Sequence, residues 1–301
     1  MVSDRPQVTL AIVTYNSARV LPDCLRSLEE GCGDVAYEVC VADNDSVDDT
    51  EAVVRELAPN ARFVDLGANR GYAAGINAAI TEGAPDTAVY VLNPDARLFA
   101  DSLRPLVEAL EDPATGIALP RILNGDGELF FSLRRDPTIA RAFGEAILGG
   151  RRAASSPWLG EIVSEPEVYD RPTTCDWACG AAMLISRNCL DSVGPWDESF
   201  FLYSEETDFA LRTRDAGFVL TYVPDAVIMH LGGEIATDPR LWSMATINRV
   251  KLFRRRHGRV QSGVYTAAVT LNEALRAPVS PTHRAAFRAL VQPSTRPAEV
   301  A

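Results

Sequence analysis

VTLAIVTYNSARVLPDCLRSLEEGCGDVAYEVCVADND, residues 8 to 45, decides the fold. Val8–Tyr15 is a short run rich in β-branched residues, with apolar side chains at nearly every position. A strand buried on both faces needs such a run. Leu21, Cys24, Leu25 and Leu28 then recur at helical spacing. Glu38–Asp43 is a second β-rich run, ending in Asn44-Asp45-Ser46, residues that suit a helix N-cap. The unit is therefore strand, helix, strand, and it repeats. Val47–Leu57 predicts a helix, Ala61–Leu66 a strand, Ala73–Thr81 a helix and Ala88–Asn93 a strand stopped by Pro94. Asp101 is placed to cap a helix with Leu103, Leu106, Val107 and Leu110 on one face, and Gly116–Leu123 is a fifth strand. Strands about 25–30 residues apart with helices between them predict a largely parallel sheet in a three-layer α/β sandwich.

Beyond Leu123 the pattern weakens. Residues 124–172 accumulate Gly, Ser, Pro and Arg and are expected to form a variable surface excursion. Trp177–Ser186 returns to strand. Ser204–Ala216 predicts a helix with Ser204 as N-cap and an acidic first turn. Phe218–His230 is extended, Leu241–Arg256 is helical, and the last dozen residues are expected to fray.

The chain has 301 residues, 47% apolar and 23% charged, which excludes a disordered or collagen-like polymer. No apolar run reaches the ~18 residues that span a bilayer. The amino terminus lacks a basic segment followed by an apolar one, so no secretory signal is expected and a cytoplasmic location is. The six cysteines show no metal-finger spacing and are expected to be free, buried thiols. The formal charge of -12 is uneven. Residues 235–301 hold 11 basic and 3 acidic residues, while residues 1–234 hold 18 and 38. The acidic body argues against a nucleic-acid partner. Of the 29 basic residues only Lys251 is lysine.

Ligands of an open parallel α/β sheet bind outside the carboxyl ends of its strands. That rule selects Thr14-Tyr15-Asn16, Asp43-Asn44-Asp45, Gly67–Gly71 and Asn93-Pro94-Asp95, four polar strand ends along one edge. Residues 67–80 carry glycines at 67, 71 and 75 without a dinucleotide fingerprint. They still offer backbone N–H groups, a helix N-terminus and the permanent cation of Arg70 to phosphate. Asp95, held after a strand and a proline, supplies the kind of oxygen a diphosphate-bound divalent cation needs. His230 ends a later strand. Ser204–Phe209, SEETDF, is dense in carboxylates, one of which can deprotonate an acceptor hydroxyl; spacing alone does not choose among Glu205, Glu206 and Asp208. The preceding aromatic and acidic stretch, which includes Trp196 and Asp197, suits a sugar-binding wall.

Five motifs then stand in order: VTYNS (13–17), VADNDSVDDT (41–50), NRGYAAGIN (69–77), LNPDA (92–96), and the run from Cys179 to Phe218. In that order and spacing the chain resembles family 2 glycosyltransferases of the GT-A fold, in particular the rhamnosyltransferase-like branch. The resemblance implies a GT-A type three-layer α/β/α sandwich with a mainly parallel mixed sheet over residues 1–234, followed by a basic helical extension over 235–301. It implies inverting transfer of a sugar from a dTDP- or UDP-sugar to a hydroxyl of a glycan, lipid-linked precursor or natural product. Thr14, Tyr15, Asn16, Asp43, Asn69, Arg70, Gly71 and Asn93 are then expected at the nucleotide, with Asp43 receiving the base's imide N–H. Asp95 and His230 are expected to hold Mn²⁺ or Mg²⁺. The family's base position falls on Glu206, where a glutamate replaces aspartate as the second acid and keeps Glu205 as an alternative. Trp177, Gly180, Ala181, Trp196 and Asp197 are the expected acceptor-side residues. Two competing functions share parts of this pattern: a nucleotidyltransferase, whose Gly-rich basic signature is missing from residues 10–20, and a non-catalytic sugar-nucleotide binder, which SEETDF opposes. Arg254-Arg255-Arg256 beside Leu252 and Phe253 is a candidate peripheral contact with an anionic membrane.

Overall fold

The computed structural model describes residues 7–84 and 87–300; the expectation for the amino terminus up to Pro6 lies outside them. The elements in chain order are β1 (Val8–Thr14), α1 (Leu21–Cys32), β2 (Tyr37–Asp43), α2 (Thr50–Leu57), β3 (Arg62–Asp65), α3 (Tyr72–Glu82), β4 (Ala88–Leu92), β5 (Ala96–Leu98), α4 (Leu103–Ala109) and β6 (Thr115–Leu123). There follow β7 (Leu133–Arg134), α5 (Ile139–Leu148), α6 (Gly150–Ala153), β8 (Thr173–Cys175), β9 (Trp177–Ala178), β10 (Ala182–Ile185), α7 (Arg187–Val193), α8 (Glu205–Asp215) and β11 (Val219–His230). The chain closes with α9 (Glu234–Thr237), α10 (Pro239–Arg256), α11 (Arg259–Arg276) and α12 (Pro281–Val291).

The main sheet runs β3-β2-β1-β4-β10-β6-β11-β5, with β8 added beside β11. β3, β2, β1 and β4 are mutually parallel, so their carboxyl ends share one edge. All seven residues of β1 are buried, as a central strand covered on both sides requires. Its alternation sorts the two cores. Val8, Leu10 and Ile12 face the layer of α1, α2 and α4, packing with Leu21, Leu25, Val54 and Leu103. Ala11 and Val13 face the layer of α3, α7 and α8, packing with Ile76, Cys189 and Phe209. The architecture is the expected α/β sandwich with a mainly parallel mixed sheet.

Several local expectations change. Trp177–Ser186 is two strands, not one. β9 pairs with β7 in a separate ribbon, whereas β10 enters the main sheet antiparallel between β4 and β6. The helix expected from Val47 starts at Thr50, because Asn44–Ser46 tie down the site loops and Asp48 receives the Thr50 N–H at 3.1 Å. Ser204 precedes α8 but makes no side-chain cap; its backbone is left-handed, with φ 73°. Asp101 likewise stands outside the cap position, which Ser102 occupies. The excursion at 124–172 contains an amphipathic helix, α5, which packs with α10 and α11 through Ala142, Val250, Phe253, Tyr265 and Val269. Arg249 ties this cluster together by pairing with Glu145 at 2.8 Å and with Glu161, and by donating to the Tyr265 hydroxyl. Buried Glu273 joins the last three helices, accepting from Trp242 Nε1 at 2.9 Å and meeting His283 Nδ1 at 2.7 Å. The final residues fold into short 3₁₀ turns, and Arg296 donates to Ala289 O, so they are not frayed. All six cysteines are free, and burial pushes the Cys24 thiol up to about 12.

Candidate active site

The carboxyl ends of β1 and β2 are joined by Asp43. Its buried carboxylate accepts from Thr14 Oγ1 at 2.5 Å, and from the Ser46 N–H and hydroxyl, each at 2.7 Å. A carboxylate has about four lone-pair sites, so one acceptor position remains for a ligand N–H. Asn16, with φ 51°, closes the same edge by donating its N–H to Ser46 Oγ and accepting the Val47 N–H on its Oδ1. Tyr15 beside it stands half exposed.

Asn44 connects this edge to the next loop. Its side chain accepts the Arg70 N–H at 3.0 Å and donates to Gly71 O at 3.3 Å. Asn69 receives the Gly71 N–H on its own side chain, a local turn that is a common Asn role. Arg70 extends outward to pair with Glu198 at 3.1 Å. Gly71 has φ 91°, and a Cβ there would lie 2.3 Å from Phe201 O. The next residue, Tyr72, donates its N–H to that same oxygen at 2.7 Å.

At the end of β4, the Tyr72 hydroxyl donates to Asn93 Oδ1 at 2.7 Å, turning the Asn93 amide nitrogen to His230 Nε2 at 3.1 Å. Asp95 Oδ1 lies 3.3 Å from the same ring nitrogen, and its Oδ2 receives the Gly232 N–H at 2.9 Å. Burial acts to raise the Asp95 pKa, but the neighbouring His230 ring and the Gly232 N–H outweigh it, so the group sits below the ordinary carboxylate value. Among the described residues no third His, Cys, Asp or Glu completes a metal cluster with this pair. A carboxylate and an imidazole side by side fit a divalent cation that takes its other ligands from a diphosphate. Burial, then the surrounding acids with Glu205 first, push the Tyr72 phenol up and keep it a hydrogen-bond donor.

The carboxylate cluster faces this region from the start of α8. Glu206 is part-exposed and packs on Gly180, where a Cβ would come within 3.0 Å of its own Cβ. Glu205 is 2% exposed. Each has an Oε2 that is buried without a hydrogen-bond partner. Burial, and then the charge of Glu206, lift Glu205 well above the ordinary value; burial lifts Glu206 as well, against nearby backbone N–H groups. Two adjacent buried carboxyls cannot both ionise cheaply, so a charge on one disfavours a charge on the other. Asp208 is spent on Arg212, 2.7 Å away.

The segment leading into α8 is strained. Phe201, Tyr203 and Ser204 have φ of 61°, 68° and 73°. Phe201 is the centre of a γ-turn, closed by the Leu202 N–H on Phe200 O at 2.7 Å. Non-glycine residues in such regions cost about 1–3 kcal/mol each and cluster at functional sites.

The remaining predicted residues lie in two places. Gly180 and Ala181 form the turn between β9 and β10 at the cluster, with Ala181 O accepting the Asn93 N–H. Trp177 lies beside it, donating Nε1 to Arg135 O, with the Arg134 guanidinium 5.8 Å from its ring. Trp196 is buried in the core, stacked on Phe209 with centroids 4.6 Å apart, and Asp197 pairs with Arg255. The structure thus brings Tyr72, Asn93, Asp95, Gly180, Glu205, Glu206 and His230 together, while Trp196 and Asp197 are taken up by packing and by the tail. Sequence reasoning missed Tyr72, Ser46 and Arg134, although the first two lie inside the motifs. A separate cavity of about 610 Å³ lies between α8 and α10, where Arg214 pairs with Asp136 and Arg256 with Asp215.

Residues 9–162 match the model of Glycosyl transferase family 2. The chain belongs to that family. Over 230 residues it is 32% identical to the N-acetylglucosaminyl-diphospho-decaprenol L-rhamnosyltransferase of Mycobacterium tuberculosis, covering 72% of this chain and 74% of that one. It is a rhamnosyltransferase-like member. The fold is similar to that of Staphylococcus aureus TarS 1–349 in complex with UDP-GlcNAc, with TM-score 0.58, 13% identity and coverage of 98% of this chain and 82% of that chain. It is also similar to mannosyltransferase PcManGT from Pyrobaculum calidifontis in complex with GDP-Man and Mn²⁺, with TM-score 0.57, 20% identity, 96% of this chain and 82% of that one. The sandwich is of the GT-A type. No helix among the described residues is long and apolar enough to cross a membrane.

Proposed function

We propose that this family 2 glycosyltransferase moves L-rhamnose from dTDP to a hydroxyl of a lipid-linked N-acetylglucosaminyl diphosphate, inverting the anomeric carbon, with Glu206 as general base. The observation that carries the mechanism is the Glu206 carboxylate, part-exposed and with one oxygen lacking a partner, beside Asp95, His230 and Tyr72. The likeness to the mycobacterial enzyme supports the donor and acceptor class.

In this reading Asp43 accepts an imide N–H from the base, and Asn44 holds the Arg70–Gly71 loop against that edge. Asp95 and His230 would hold Mn²⁺ or Mg²⁺, which when bound neutralises charge on the leaving diphosphate. Glu206 takes the acceptor hydroxyl proton as the oxygen attacks the face of the sugar opposite the diphosphate. Burial, and then the neighbouring carboxylate, disfavour the ionised form of Glu205, which leaves Glu206 the better placed of the two to act as base. Arg134 adds a cation on the acceptor side.

Glu206→Gln is expected to lose turnover by about 10²–10⁴-fold, the usual contribution of a positioned base, while dTDP binding in calorimetry is retained. Glu205→Gln is expected to keep turnover. Full activity of Glu206→Gln with a dead Glu205→Gln would move the base to Glu205.

A further inference from the structure

The strained turn before α8 is held from the carboxyl-terminal helices. Asn248, in the middle of α10, is fully buried. Its amide nitrogen donates to three consecutive-loop carbonyls: Phe200 O at 2.6 Å, Leu202 O at 2.9 Å and Tyr203 O at 3.2 Å. An NH₂ group has two hydrogens, so all its donor capacity, with one hydrogen shared, goes to this segment. The side-chain oxygen has no partner. Asn248 therefore serves the turn and nothing else by hydrogen bonding.

The same helix face adds further ties one turn on. Lys251 donates to Ser199 O, and Leu252 packs against Phe200 and Leu211. Arg255 bonds Ser199 Oγ at 2.8 Å and lies over the Phe200 ring, 4.7 Å from its centroid. Asn248, Lys251, Leu252 and Arg255 are spaced as one helical stripe. From the other side the turn meets Gly71 and the Tyr72 N–H. A backbone that departs this far from favoured φ persists only where its surroundings over-determine it.

The geometry points to Asn248 as the positioning residue of the reaction: its amide fixes the Phe201–Ser204 backbone in the strained form that aims Glu206 at the acceptor. The inference rests on the role of Glu206 proposed above, and predicts that the tail takes part in catalysis without touching substrate.

The test uses the full chain as wild type, Asn248→Ala, Asn248→Ala with Ser204→Gly, and Glu206→Gln. Amide exchange over residues 198–206 is followed by mass spectrometry, beside dTDP calorimetry and turnover of dTDP-L-rhamnose with a short-chain N-acetylglucosaminyl diphosphate lipid. In Asn248→Ala, loss of the shared bonds is expected to speed exchange at 198–206 by about tenfold or more. A base displaced by about 1 Å is expected to lose kcat by about 100-fold, with donor KM unchanged. Ser204→Gly, which adopts positive φ without steric cost, is expected to slow the exchange again and recover part of kcat. Unchanged exchange at 198–206 in Asn248→Ala overturns the proposal. So does a loss that Ser204→Gly does not rescue while exchange rises equally through α10–α12, because Asn248 would then serve tail packing only. If Asn248→Ala fails to fold, Asn248→Leu keeps the volume without the donor and is judged by the same criteria. An active Glu206→Gln with wild-type exchange would remove the base assignment and leave the pinning of the turn standing.

Discussion

Replacing Gly71 by alanine tests the contact between the nucleotide loop and the turn that carries the base. Gly71 has φ 91° and ψ 174°, a region that only glycine occupies freely. Forcing alanine into it costs about 1–3 kcal/mol. The added Cβ would stand 2.3 Å from Phe201 O and 2.7 Å from Phe201 Cα, whereas ordinary contact begins near 3.4 Å. The obstacle is backbone, so one loop must retreat by about 1 Å, and overpacking of this kind costs about 1–3 kcal/mol more. The retreat also breaks the 2.7 Å bond from Tyr72 N–H to Phe201 O, worth about 1 kcal/mol. The expected loss in urea unfolding is about 3–7 kcal/mol, and turnover falls by about 100-fold through misplacement of Glu206. Gly67→Ala is the control. Gly67 also has positive φ, 66°, but nothing lies within 4 Å of its Cβ position. It should lose only the conformational cost of about 1–2 kcal/mol. If the two variants unfold alike and both turn over normally, Gly71 does not brace the turn, and the coupling between donor loop and base is refuted.

Glu205→Gln is expected to stabilise the fold at neutral pH. The folded pKa of Glu205 is raised above its ordinary value of 4.5, so the wild type loses stability as pH rises from there toward the folded value. Glutamine mimics the protonated form, and its advantage in thermal unfolding should be present at pH 8 and gone below about pH 4.5; an advantage that persists at acid pH would show that the cost of ionising buried Glu205 is not its source. Removing divalent cations with EDTA is expected to weaken dTDP-sugar binding in calorimetry, with Asp95→Asn doing the same and abolishing the response to added Mn²⁺. Affinity indifferent to both would remove Asp95 and His230 from a metal role.

The parallel half of the molecule was legible because its constraints are local. A strand covered on both faces must be apolar throughout, and β1 is; a helix on that sheet must repeat its apolar residues every three or four positions, and α1 does. The polar strand ends could be placed along one edge because parallel strands put their carboxyl ends together. The direction of β10 was not legible, since the alternation of its side chains is the same in either orientation. Nor was the break at Gly180, where the chain turns to let Glu206 approach. The positive φ of Phe201, Tyr203 and Ser204 left no mark either, because glycine is the usual sign of such a backbone and none of these residues is glycine.

The uneven charge shows the same limit and also its resolution. The three tail arginines next to Leu252 and Phe253 read as a surface for anionic lipid. In the structure Leu252 and Phe253 are buried, Arg255 is paired with Asp197, and Arg256 meets Asp215 at 2.8 Å. The apolar part of that patch is therefore taken up by packing, while Arg254, Arg255 and Arg256 stay exposed. Each partner is about 40 to 60 residues distant in sequence, beyond any window in which periodicity operates. Part of the acidic excess of the body and the basic excess of the tail thus answer each other. Asn248 uses the same stripe of α10, so the helix that neutralises the loop also fixes its backbone. Exposed ion pairs are worth little one at a time. Set along a single helix face around a buried amide, they give α10 one register on the turn, and that register is what a base held on strained backbone requires.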